Sequence, residues 1–278
     1  MKSDVVMLSK TIGSRDEISK LDEAAEFIRG QLAATHARVS DQPIVIGSHT
    51  YRNIIASFGP ENGDRIVIGA HYDTAGSIPG ADDNASGVAG LLEMARLLGA
   101  EHLPMRTDLV AYTLEEPPYF RTPLMGSAVH AHYLKANNVR LRAMISLEMI
   151  GYFSDEDGSQ DFPSALLWAF YPSRGNFIAV IGNIGSGFLV RDIKAAMMEA
   201  TILPVYSLNA PSFFQGVDYS DQLNYWNEGF SAVMVTDTAF LRNKNYHKSS
   251  DVVETLDFQR MGEVVKAVHS AVQALAQE

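Results

Sequence analysis

Apolar residues along this chain follow two rhythms, one helical and one extended, separated by short Gly, Pro and Asn breaks. Ile18, Leu21, Ala25, Ile28 and Leu32 recur every three or four positions and predict a first amphipathic helix. Residues 51–57 and 65–72 read as strands, and the Gly-Pro-Glu-Asn-Gly turn at 59–63 predicts that they pair as an antiparallel hairpin. Further along, helical spacing covers 84–98, 125–135, 189–200, 221–227 and 258–276, and extended runs cover 108–114, 143–150, 177–184, 205–208 and 231–236. The alternation predicts an α/β three-layer sandwich, a mixed but mostly parallel central sheet with helices on both faces, the hairpin supplying the antiparallel part.

Composition narrows the picture. With 278 residues and 46% hydrophobic content the chain can bury one large core, so a single domain over 1–278 is expected. No window approaches a membrane span, and residues 1–20 lack the basic and apolar regions of a signal peptide. That predicts a soluble, cytoplasmic chain as given, periplasmic or secreted if an export segment has been removed. The absence of cysteine excludes disulfides and thiol nucleophiles, so any metal must be held by His, Asp and Glu. A formal charge of −11 opposes nucleic acids and anionic membranes as partners.

In open α/β sheets the chemistry gathers beyond the carboxyl ends of the strands. His71 and Asp73 end one extended run, Glu115 and Glu116 the next, Glu148 a third, and His247 follows the run at 231–236 after a loop; Asp83 opens the helix after the first. Each residue alone has an ordinary explanation. His71 could be hydrogen-bonded near a turn, Asp82 and Asp83 could cap a helix, and Glu115-Glu116 could be a solvated loop. Glu148 between Leu147 and Met149 is harder to explain so, because a carboxylate in apolar surroundings needs a partner. Jointly, the imidazoles and carboxylates delivered to one sheet edge point to a metal centre.

The order His-x-Asp at 71–73, Gly-Ala-Asp-Asp-Asn-Ala-Ser-Gly at 80–87, Glu-Glu-Pro at 115–117, Leu-Glu-Met at 147–149 and Tyr-His-Lys-Ser-Ser-Asp at 246–251 resembles the co-catalytic zinc aminopeptidases, relatives of bacterial leucyl aminopeptidase, glutamate carboxypeptidase and glutaminyl cyclase. The resemblance runs from about Tyr51 to the final helix. It implies a zinc exopeptidase domain with Asp83 bridging two zinc ions, His71 and Glu148 completing one site and Glu116 and His247 the other. It further implies Glu115 as the general base, Asp73 as the carboxylate that orients the His71 ring, and Asp251 as a support near His247. Mn²⁺ or Co²⁺ could replace zinc, since every donor is O or N.

The implied reaction is hydrolysis of a peptide bond next to a free amino terminus, with Glu115 shuttling the proton. Met149 and Tyr246, each adjacent to a ligand, are the candidates for the wall of the substrate pocket, and Tyr246 is also a candidate donor to the oxyanion. Two positions depart from the family pattern: Gln222 follows Ser220-Asp221 where His is usual, and Lys248 follows His247 where Thr is common. Glu148 stands where leucyl aminopeptidases have Asp. Three alternatives stay open. A glutaminyl cyclase-like acyltransferase would use one zinc; a carboxypeptidase would need a basic residue such as Arg121, Arg174 or Arg242 at the site; a binding protein would carry a relic centre. The sequence leaves the oligomeric state open.

Overall fold

The computed structural model describes residues 1–277. Its elements are α1 (Lys2–Val6), α2 (Ile18–Ala33), β1 (Arg38–Ile46), β2 (His49–Phe58), β3 (Arg65–His71), α3 (Gly87–Leu98), β4 (Arg106–Tyr112), α4 (Gly126–Ala136), β5 (Leu141–Glu148), β6 (Ile178–Gly182), α5 (Gly187–Ala200), β7 (Val205–Asn209), α6 (Gln222–Asn227), β8 (Ala232–Thr236) and α7 (Phe258–Gln277). All eight strands form one sheet in the order β1-β2-β4-β3-β5-β8-β6-β7.

Alternation along the central strands builds the three layers. Ile66 and Ile68 of β3 enter the larger core with Val88, Leu91 and Met94 of α3 and Val264 and Val268 of α7. Val67, between them, points the other way, into a smaller core with Ala131 and Leu134 of α4 and Tyr225 of α6. Strand β3, buried on both faces, therefore reads as an almost unbroken apolar run.

The antiparallel part of the sheet differs from the expected hairpin. β2 does not pair with β3: it pairs antiparallel with β1 on one side and with β4 on the other, and β4 lies between it and β3. The true hairpin is β1–β2. β6 also runs antiparallel to β8, so four of the seven strand pairs are parallel. At the carboxyl ends of β3, β4 and β5 the chain turns abruptly. Leu114 and Met149 hold left-handed backbone angles (φ 61° and 49°), as does His247 (φ 55°), a conformation that costs a residue with a Cβ and gathers here around one point.

Candidate metal centre

His71 is the last residue of β3 and is fully buried. Its Nε2 lies 3.3 Å from Asp83 Oδ1 and 3.4 Å from Glu148 Oε2, at the end of β5. The other oxygen of Asp83, Oδ2, lies 3.1 Å from His247 Nε2, which is itself 3.3 Å from Glu116 Oε1. Asp83 thus faces two separate imidazole–carboxylate pairs, one through each oxygen. Glu115 is buried, and its carboxylate stands within the reach of a single ion from donor atoms of His71 and Glu116.

The turn that presents Asp83 is built from backbone and side-chain ties. The expected helix from 84 starts regularly only at Gly87; Asp83 (φ −103°, ψ 93°) and Asn84 (φ −127°, ψ 41°) are not helical. Asn84 straps this turn to the end of β5: its Nδ2 donates to the Leu147 carbonyl (2.8 Å), and its Oδ1 accepts from the amides of Gly87 (3.0 Å) and Met149 (3.1 Å). Gly87 permits the approach, since a Cβ there would stand 2.5 Å from the Leu147 carbonyl oxygen. Asp251 was expected to support His247. Instead its two oxygens accept the backbone N–H groups of Asp82 (2.9 Å) and Asp83 (3.1 Å), so it holds Asp83 from behind. Asp73 Oδ1 lies 3.5 Å from His71 Nδ1 without a well-formed hydrogen bond between them, while Oδ2 accepts the Glu116 amide at 2.9 Å.

Three further residues support the centre. Arg15 is fully buried and donates to five backbone carbonyls, those of Leu8, Gly13, Tyr72, Pro79 and Gly80, bracketing the 73–80 loop. Ser220 donates to Glu148 Oε2 at 2.7 Å, which gives the first half of the Ser220-Asp221 pair a task. Asp82 accepts from the Gly151 amide and Asn243 Nδ2, which ties the 149–152 segment to the 237–247 loop. Nothing in the local sequence around Arg15 signals its role, because its partners are main-chain atoms. The two departures from the family pattern lie off the centre: Gln222 is buried and donates to the Val217 carbonyl, and Lys248 is on the surface, its Nζ donating to the Lys244 carbonyl.

The charge balance calls for cations. Burial would strip His71 of its proton, yet the carboxylates of Glu148 and Glu115 hold its pKa well above the ordinary imidazole value. For His247 the cost of burial is likewise overcome, by Asp83 and Glu116, raising it to about 10. Burial opposes ionisation of Asp83, but the two imidazoles hold it below the usual carboxylate range, whereas burial and then the charge of Asp83 push Glu116 up to about 7. Burial also drives Glu115 well above the usual range, reinforced by Glu116 and Glu148 although His71 opposes the shift. Both Asp83 oxygens are buried and accept no well-aligned hydrogen bond. Donor atoms about 2.0–2.1 Å from a tetrahedral zinc stand about 3.3–3.4 Å from one another, close to the spacings seen on each side of Asp83. The donor set and its orphaned oxygens fit zinc.

A cavity opens beside the centre, lined by Glu148, Tyr246, Tyr219, Phe240, Met234 and Thr236 among others, and enclosing about 810 Å³ including the solvent-filled space at its mouth. Tyr246 is on the wall of this cavity, its ring stacked on that of His247 with centroids 3.8 Å apart. Burial raises its pKa, so the hydroxyl remains a donor. Met149 is a correction: it is fully buried and does not line this cavity, and it contributes through its backbone, whose carbonyl accepts the Asp237 amide at 2.7 Å. The three arginines considered as carboxylate binders are committed elsewhere. Arg121 pairs with Asp218 (2.6 Å), Arg174 with Asp157 (2.7 Å), and Arg242 lies buried over the Phe177 ring, 4.5 Å from its centroid.

Residues 53–272 match the profile of peptidase family M28. The chain belongs to the M28 peptidases. Among its M28 relatives, YfbL of Escherichia coli, named only as an uncharacterised protein, is 46% identical over 96% of this chain and 85% of its own length. The M28 fold recurs in the zinc aminopeptidase BSAP of Bacillus subtilis (TM-score 0.77, 16% identity, 98% of this chain and 93% of that one). It recurs too in the glutaminyl cyclase of Bacteroides thetaiotaomicron (TM-score 0.72, 18% identity, 98% and 97%). No helix among the described residues of this M28 chain is long and apolar enough to cross a membrane.

Proposed function

We propose that this M28 chain is a two-zinc aminopeptidase that hydrolyses the peptide bond next to a free amino terminus. One observation carries the reading: Asp83 presents its two oxygens to two distinct imidazole–carboxylate pairs, at 3.3 Å from His71 and 3.1 Å from His247. His71 and Glu148 would hold one ion, His247 and Glu116 the other, and Asp83 both. Ions at these positions would polarise the scissile carbonyl and lower the pKa of an attacking water towards neutrality. Three ligand carboxylates nearly offset the four charges of a zinc pair, which suits a site that must also bind one anionic oxygen.

The remaining work belongs to the protein. Glu115 accepts the proton of the attacking water and returns it to the departing amine; its buried position, which favours the protonated form, suits a group that takes up a proton and gives it back. Asp73 holds the His71 ring and, through the Glu116 amide, the turn that carries Glu115. Tyr246, which lines the cavity, would donate its hydroxyl to the developing oxyanion. An apolar cavity whose one charged lining residue is Glu148 favours an apolar first side chain and gives a substrate carboxyl terminus no cationic partner.

The test is a panel of aminoacyl amides with and without chelator, repeated with Glu115→Gln. The reading predicts chelator-sensitive release of apolar first residues, and a loss in Glu115→Gln of about 10²- to 10⁴-fold in kcat with zinc content unchanged. Full activity of Glu115→Gln, or turnover confined to substrates without a free amine, would overturn it.

A further inference from the structure

The floor of the cavity is the sheet itself, and it extends far from the metal centre. Glu148 on β5 stands opposite Thr236 on β8, Thr236 opposite Ala179 on β6, and Ala179 opposite Tyr206 on β7, and all four line the cavity. A second row, Met234, Ile181 and Leu208, lies beside the first. Ile178 and Val180, the alternate residues of β6, turn to the opposite face and into the main core. Neighbouring strands lie about 4.8 Å apart, so three steps from Glu148 to Tyr206 cover roughly 14 Å. A leucine or phenylalanine side chain attached at the scissile bond reaches only part of that distance.

The lining also disfavours a peptide backbone along its apolar floor. Several of its polar groups are already engaged: Gln160 Oε1 accepts from Arg242 Nε and its Nε2 donates to the Asp161 carbonyl; Thr236 Oγ1 accepts the Thr238 amide; the Tyr171 hydroxyl donates to the Ser207 carbonyl. Main-chain N–H and C=O groups laid over Ala179, Ile181 and Leu208 would lose their hydration without replacement. Hydrocarbon suffers no such penalty. The apolar surface continues outward at the rim, where Phe162 packs edge-on to Trp168 at 5.2 Å and Leu166 and Phe170 are 68% and 72% exposed.

We propose that this trench receives a linear apolar substituent longer than any encoded apolar side chain, so that the substrate is an amide whose amino-terminal residue bears a chain of roughly eight to ten carbons. The proposal rests on the aminopeptidase reading for turnover but not for binding. Binding is measured on the zinc-loaded protein with n-alkylamines of four, six, eight and ten carbons, read by the fluorescence of Trp168, with Trp168→Phe assigning the signal. Turnover is measured on p-nitroanilides of 2-aminohexanoic, 2-aminooctanoic and 2-aminodecanoic acids beside alanine and leucine. Each methylene buried should tighten binding and raise kcat/KM about three- to fourfold up to eight or more carbons. Ala179→Phe and Ile181→Trp, each checked for a folded state by its melting transition, should lower the ratio of long-chain to leucine turnover at least tenfold. Affinity that stops rising beyond four carbons, an optimum at leucine, or a long-to-short ratio unmoved in both folded variants would overturn the proposal. Affinity that rises with length while no p-nitroanilide is cleaved would uphold the trench and refute the aminopeptidase reading.

Discussion

Arg15→Lys probes how the fold holds its metal centre from a distance. Arg15 sends Nε to the Tyr72 carbonyl (2.7 Å), Nη1 to those of Leu8, Gly13 and Pro79, and Nη2 to that of Gly80 (2.9 Å). Burial lowers its pKa only to about 10, with the acidic groups of the centre opposing the shift, so the guanidinium stays charged. Lysine brings three donors on one atom instead of a planar fork, so at least two of the five carbonyls lose their partner. Each buried carbonyl left unpaired costs about 1–3 kcal/mol, which makes the expected loss about 2–6 kcal/mol. In a chain of this size that is a fall in melting temperature of about 3–10 °C. Arg15→Met, which abandons all five carbonyls, should fall further. Tyr72, Pro79 and Gly80 flank His71, Asp73 and Asp83, so zinc affinity should weaken about 10- to 100-fold as well. Differential scanning calorimetry of the zinc-loaded protein and competition with a chromophoric chelator measure the two effects. A shift below 2 °C with unchanged zinc affinity would show that the guanidinium does not organise the loop.

Removing the metal should lower the melting temperature at neutral pH, because the folded chain then loses the binding free energy of the ions; a ligand at a hundred times its Kd contributes about 2.7 kcal/mol, and identical transitions before and after chelation and dialysis would refute this. Ser220→Ala removes the hydroxyl that donates to Glu148 and should weaken one zinc site about tenfold while sparing the other, seen as a split between two binding steps in calorimetric titration; equal weakening of both would contradict the assignment. His130, whose Nδ1 lies 2.6 Å from the Tyr225 hydroxyl, has its pKa lowered to about 4 by burial. The unfolded chain therefore holds more protons between about pH 6.5 and 4, and this histidine's contribution, complete above pH 6.5, is lost as pH falls through that window, by about 3 kcal/mol in all. The stability gap between the wild type and His130→Asn should narrow by that order between pH 7 and 4 in denaturant titrations, and a constant gap would show that the histidine is not held neutral.

The candidate centre was legible because its imidazoles and carboxylates interrupt apolar runs. β3 and β5 are buried strands that end in His71 and Glu148, and Glu115 and Glu116 stand just beyond buried β4, so all four stood out against their apolar neighbours. The pairing of β2 was not legible: its partner β4 lies some fifty residues downstream, and the turn at 59–63 suggested a local hairpin instead. β1 escaped notice since it is an edge strand, largely exposed and carrying Pro43, so it lacks an apolar rhythm. Asp251 and Met149 show a second limit. Both lie next to the centre, but what they contribute is contact with or through main-chain atoms, which side-chain patterns do not encode. The same holds for Arg15.

The central claim is that Asp83 is shared between two ions. Diffraction from zinc-loaded crystals on either side of the zinc absorption edge tests it directly. The account predicts two anomalous peaks about 3.5–4 Å apart with one Asp83 oxygen on each, His71 and Glu148 on the first and His247 and Glu116 on the second. A single peak at full zinc loading, or two peaks with Asp83 bound to only one of them, would contradict it.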